Sequence, residues 1–150
     1  MAFGAFGRGR GVDAALPGPR GIALRYDVPG AARATLEPRG ATVAAGDVDG
    51  DGLSDLVTTG GGPGEVWLYR GRTRGLPANA TATLTPATKG TPQVLKVADF
   101  DDDHRADVAI RTTTGRGTDR VEIYQGLKNG ELITRRPPLT FSTTMFTKTT

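Results

Sequence analysis

The chain repeats itself, and the repeat limits what it can fold into more than any other feature. Ala45 to Gly71, AGDVDGDGLSDLVTTGGGPGEVWLYRG, runs parallel to Ala98 to Gly126, ADFDDDHRADVAIRTTTGRGTDRVEIYQG. Each copy opens on a small residue and an Asp cluster, then enters a short apolar run, Leu56-Val57 or Val108-Ala109-Ile110. A Gly/Thr turn follows, and then a strand-like segment that closes on Tyr69 or Tyr124. Asp47 recurs as Asp99, 52 residues on (99 − 47). A partial third copy aligns Val12 to Ile22 (VDAALPGPRGI) with Val66 to Leu76 (VWLYRGRTRGL) at an offset of 54, and Leu36-Glu37-Pro38 with Leu84-Thr85-Pro86 at 48. In this register the first copy begins just after its acidic loop should have ended, and a further loop would start just past Thr150. The expectation is a piece of a longer repeat array.

A period near 50 residues is that of a four-stranded propeller blade. The 22 glycines and 10 prolines agree, because both residues weaken helices and punctuate short strands. The fold class read from the sequence is therefore all-β, with two to three four-stranded β-propeller blades forming an incomplete propeller. Strands are expected at Thr42–Ala45, Leu56–Thr59, Glu65–Tyr69 and Ala80–Leu84. Their counterparts are Val94–Ala98, Val108–Thr112, Arg120–Tyr124 and Glu131–Thr134, with a further strand starting in Thr143–Thr150. A leucine-rich solenoid is excluded by period and by the lack of its leucine pattern. A closed propeller needs about four blades or more, so uncovered faces imply further blades, another protein, or self-association.

The first acidic loop is Asp47-Val48-Asp49-Gly50-Asp51-Gly52-Leu53-Ser54-Asp55. Carboxylates stand at positions one, three, five and nine, with Gly at six. Calcium prefers about six to eight oxygen ligands from carboxylates and carbonyls. Alternating Asp residues in a tight turn bring several oxygens to one centre, Gly52 permits the turn, and the Leu53 carbonyl is a natural ligand at position seven. Four clustered carboxylates repel one another unless a cation joins them, and isolated Asx turns need only one or two. An EF-hand shares the opening spacing but requires Glu at position twelve and flanking helices. Position twelve is Thr58 in the first loop and Ile110 in the second, within strand-like runs, so the EF-hand is rejected.

A strand, then DxDxDGxxD, then an apolar strand resembles the FG-GAP repeat of integrin α-subunits and many bacterial surface proteins. The resemblance covers Thr42–Gly71 well, Val94–Gly126 fairly, and Val12–Pro38 only as a remnant. It implies a remnant first blade without its Asp loop at 1–41, a repeat with an intact calcium loop at 42–93, and a divergent repeat at 94–150. It implies Ca2+ ligands Asp47, Asp49, Asp51, the Leu53 carbonyl and Asp55, and in the second loop Asp99, Asp101, Asp103, the Arg105 carbonyl and Asp107. His104 at position six and the nearby Arg105 depart from the pattern, so the second site is expected to be weaker. Family resemblance further implies a non-catalytic binding or adhesion scaffold, extracellular or at the cell surface. An accessory segment of a secreted hydrolase is the enzymatic alternative, but all the clustered Asp residues are committed to the loops and no acid–base pair remains.

Composition removes other classes. There is no cysteine, which excludes disulfide scaffolds, thiolate zinc sites and cysteine nucleophiles. The N-terminus lacks the apolar run of a signal peptide, and no stretch approaches the roughly 20 apolar residues of a membrane span. Nine of the sixteen acidic residues lie in the two loops, so the remainder is basic, with clusters Arg70/Arg72/Arg74 and Arg135/Arg136. A basic surface can bind anionic polymers, yet no stacking aromatics accompany these arginines as nucleic-acid binding would want. His104, the sole histidine, reads as a solvated loop residue. Gly60-Gly61-Gly62-Pro63-Gly64 lacks the ending of a phosphate loop and reads as a hairpin turn.

Overall fold

The computed structural model describes residues 1–7, 9, 11–30, 33–36, 42–59, 64–115, 117–134 and 137–142. Its regular structure is entirely β among these residues, arranged in three antiparallel sheets that follow one another along the chain. The first holds β1 (Ala2–Gly4), β2 (Val12–Gly18), β3 (Gly21–Val28) and β4 (Arg33–Leu36) in sequential order. The second holds β5 (Val43–Gly46), β6 (Asp55–Thr59), β7 (Val66–Tyr69) and β8 (Ala82–Leu84), again in order. The third holds β9 (Thr91–Ala98), β10 (Asp107–Thr113), β11 (Thr118–Gly126) and β12 (Leu132–Ile133). A fifth strand, β13 (Leu139–Ser142), pairs with the first half of β11 while β12 pairs with its end.

Strand periodicity explains why the second sheet lies in the middle. Successive side chains point to opposite faces, and β6 is buried along its whole length. Leu56 and Tyr69 join Phe6, Ala15, Ile22, Leu24 and Leu36 of the first sheet in one core cluster. Their neighbours Val57, Val66 and Leu68 join Val94, Val97, Val108, Ile110 and Tyr124 of the third sheet in another. A strand covered on both faces reads as a continuous apolar run rather than an alternation, which is why Leu56-Val57 carries no polar break.

The first sheet overturns the alignment at an offset of 54, which set Val12 against Val66, a second strand against a third. The observed order puts β2 where β6 and β10 stand, so Asp13 corresponds to Asp55 at an offset of 42 (55 − 13). The first copy does not begin after its loop: β1 precedes β2, and residues 5–11 connect them. The offset shrinks because the hairpins of the first sheet are short. Only Pro19 and Arg20 separate β2 from β3, whereas six residues (60–65) separate β6 from β7. Among sequence expectations, the strand in Thr143–Thr150, the Arg135/Arg136 cluster, and all of the Gly60–Gly64 turn but Gly64 lie outside the described residues. No helix of the described residues is long and apolar enough to cross a membrane.

Candidate metal centre

Each acidic loop joins the first strand of a sheet to the second. In loop one the Asp47 carboxylate organises the turn. Its Oδ1 accepts from the amides of Gly50 (2.7 Å) and Asp51 (3.1 Å), and its Oδ2 accepts from Gly52 (2.8 Å). Gly50 and Gly52 take φ of 75° and 87°, values that glycine adopts without steric cost. Asp55 opens β6 and ties the loop down: Oδ2 accepts from Val48 N (2.9 Å), and Oδ1 accepts from Gly71 N just past β7 (2.8 Å).

This winding brings one carboxylate oxygen each from Asp47, Asp49 and Asp55 within 4.8 Å of one another. Asp51 is not in that cluster. It is exposed, and its Oδ1 accepts from Leu53 N at 2.8 Å. Loop two repeats the plan. Asp99 gathers the amides of Asp101, Asp102, Asp103 and His104, and Asp107 accepts from Phe100 N and Gly126 N. Asp99, Asp101 and Asp107 cluster within 4.8 Å, whereas Asp103 turns to Arg105. Asp99, Asp102 and His104 form a second such group, fully exposed. Asp102 and His104 hold φ of 63° and 65° in place of glycines, a conformation that costs side-chain-bearing residues energy.

Electrostatics follow from burial. Asp55 is almost wholly buried. Burial pushes its pKa up, the Gly71 and Val48 amides partly offset this, and repulsion from Asp47 and Asp51 adds to it, for a value of about 6. Asp107 is raised for the same reasons, burial first. Asp99 is held below the ordinary range: desolvation acts upward, but four backbone amides outweigh it.

Three features were not visible in the sequence. The first sheet has its own version of the position-nine clamp, Asp13. Asp13 accepts from Phe6 N (2.8 Å) and Asp27 N (2.9 Å), as Asp55 and Asp107 do from their counterparts. Positions one, three and five there are Ala5, Gly7 and Gly9, so it offers no carboxylate cluster. An apolar residue seven places before an Asp (Phe6/Asp13, Val48/Asp55, Phe100/Asp107) is the signal that would have found it. Second, the sequence reading places a competing cation only in loop two, on Arg105. The structure places one in each loop, since Arg70 forms an ion pair with Asp49. Third, neighbouring loops are bonded to each other: Ser54 N donates to Ala5 O (2.7 Å), and Ala106 N donates to Asp47 O (2.6 Å). The amide at position eight of one loop thus meets the carbonyl at position one of the loop before it.

A repeated sheet whose first connection is an Asp-lined turn defines a class of repeat protein. Residues 47–110 match the family model described as FG-GAP-like repeat, so this part of the chain is similar to an FG-GAP repeat. The match starts at the first Asp of loop one and ends within β10. No curated protein matches the chain.

Proposed function

We propose that the chain is a non-catalytic, calcium-stabilised binding scaffold whose sheets are blades of a β-propeller, acting outside the cell or at its surface. The observation that carries this reading is the convergence of Asp47, Asp49 and Asp55 oxygens on one point, wound there by Asp47 and two left-handed glycines. The donor set fits the metal, because loop one offers oxygen alone, the preference of a hard cation such as Ca2+. Asp47, Asp49, Asp51, the Leu53 carbonyl and Asp55 would hold it, with Asp99, Asp101, Asp103, the Arg105 carbonyl and Asp107 as the second set. Bound calcium supplies positive charge that relieves carboxylate repulsion and braces the turn between two strands.

The propeller reading draws support from the loop-to-loop hydrogen bonds, which recur at both sheet junctions, and from the face-to-face stacking of the sheets. A non-catalytic role fits the way the loop carboxylates are occupied by backbone amides. The arginine cluster lends little to an anion-binding surface, since Arg70 is engaged by Asp49.

A thermal melt followed by circular dichroism, with calcium and with chelator, tests the reading. A site filled at a hundredfold excess over Kd stabilises by about 2.7 kcal/mol, which for a chain of this size is about 8 °C in Tm. Asp49→Ala should lose the greater part of that rise. A wild-type Tm indifferent to about 2 mM calcium, a concentration above the roughly 0.1 to 1 mM Kd range of extracellular sites, would overturn the proposal.

A further inference from the structure

We infer that Arg70 is a tethered counter-cation of loop one, which calcium must displace from Asp49, so that this residue sets the affinity of the site. The inference rests on the calcium reading above. The Asp49 side chain is only 1% exposed and shares its centre with Asp47 and Asp55. A buried carboxylate requires a partner, and Arg70 Nη2 supplies one at Asp49 Oδ2. The placement is built into the fold. Arg70 follows β7 directly, and the next residue, Gly71, gives its amide to Asp55.

The third sheet holds the comparison. Gln125 immediately precedes Gly126, whose amide is held by Asp107, so it stands at the register place of Arg70. Its Nε2 bonds Asp101 Oδ2. The same strand position therefore reaches the position-three carboxylate in both sheets, with a charged donor in one and a neutral donor in the other. A divalent ion held by Asp47, Asp49 and Asp55 would compete with Arg70 for the Asp49 carboxylate and would repel the guanidinium. Arg70 has another berth: Nη1 lies 3.4 Å from Asn129 O, and the side chain covers Gly130, where an added Cβ would meet Nε at 2.7 Å. Displaced from Asp49, it stays on the turn that connects β11 to β12. Arg105, the other cation near these loops, is committed to Asp103 and the Gly126 carbonyl.

The test is calcium calorimetry on the full chain in which Asp101→Asn and Asp103→Asn disable loop two. Arg70→Gln, which copies the third sheet, should tighten loop one by about tenfold, within the range of coupled sites. It should also lower Tm in chelator and restore it at saturating calcium. A residue that merely braced the fold would lower Tm under both conditions. Binding in Arg70→Gln that is equal to or weaker than that of the Arg70 parent overturns the inference and leaves the calcium reading standing. Binding by neither overturns both. Binding by Arg70→Gln alone supports the inference in its strongest form. If Arg70→Gln does not fold in chelator, refolding in saturating calcium supports the inference, and failure in both conditions overturns it.

Discussion

At the residue scale, the position-nine carboxylate has a duty that owes nothing to a metal. Asp13, Asp55 and Asp107 each clamp two amides, one from the turn and one from the third strand or its edge. Asp13 does so although positions one, three and five before it, Ala5, Gly7 and Gly9, carry no carboxylate. Asp55 must therefore serve both the clamp and the cluster; burial first, and then repulsion from Asp47 and Asp51, lift its pKa to about 6 against the pull of the two clamped amides. The native pKa lies above the unfolded value of 3.8, so between those values the native state keeps a proton that the unfolded chain has released. Stability from this group is full below the lower value and is lost as pH rises through about 6. Calcium requires the ionised form, so its effect runs the other way. In chelator, Asp55 makes the wild type lose Tm as pH rises from about 4 to about 6. The calcium increment should be small near pH 5 and near full at about pH 7.5. Melts across that range check both signs. In Asp55→Asn the decline in chelator should flatten.

At the element scale, the sheets approach one another so closely that certain positions admit only glycine. A Cβ on Gly126, at the end of β11, would strike the backbone carbonyls of Val48 in loop one and Ala106 in loop two. Backbone cannot step aside as a flexible side chain can, so Gly126→Ala should cost about 3 kcal/mol, at the upper end for overpacking. A lower urea midpoint at unchanged slope would show it; an unchanged midpoint would mean that the junction is looser than described. Much of this architecture was legible beforehand. The eight strands expected between residues 42 and 134 all form, shifted by a few residues at their ends, because apolar runs and Gly-rich turns mark them locally. The first sheet was misregistered because its turn lacks the acids that flag the others and its hairpins are shorter. The pairs Arg70–Asp49 and Gln125–Asp101 were out of reach for another reason. Their partners are 21 and 24 residues apart, and only strand register brings them together.

At the scale of the whole molecule, Asp47 links the winding of loop one to the stacking of the sheets. Its side chain winds loop one, and its carbonyl accepts the Ala106 amide of loop two. A cation that stiffens Asp47 should therefore stiffen the junction between the second and third sheets, even when it binds loop one alone. Amide hydrogen exchange can separate this from a general gain in stability, because amides open by local as well as global routes. In the chain carrying Asp101→Asn and Asp103→Asn, calcium should slow exchange at Ala106 by about tenfold, corresponding to about 1.4 kcal/mol of junction stability. Phe6 N is the reference, held by Asp13 in the turn that offers no carboxylate cluster. Slowing at Ala106 that exceeds slowing at Phe6, and that vanishes in Asp49→Ala, would show that loop one braces its neighbour through the Asp47 carbonyl. Equal slowing at both amides would mean that the three sheets open as one cooperative unit, in which calcium acts on the molecule entire and the loop-to-loop hydrogen bond carries no separate signal.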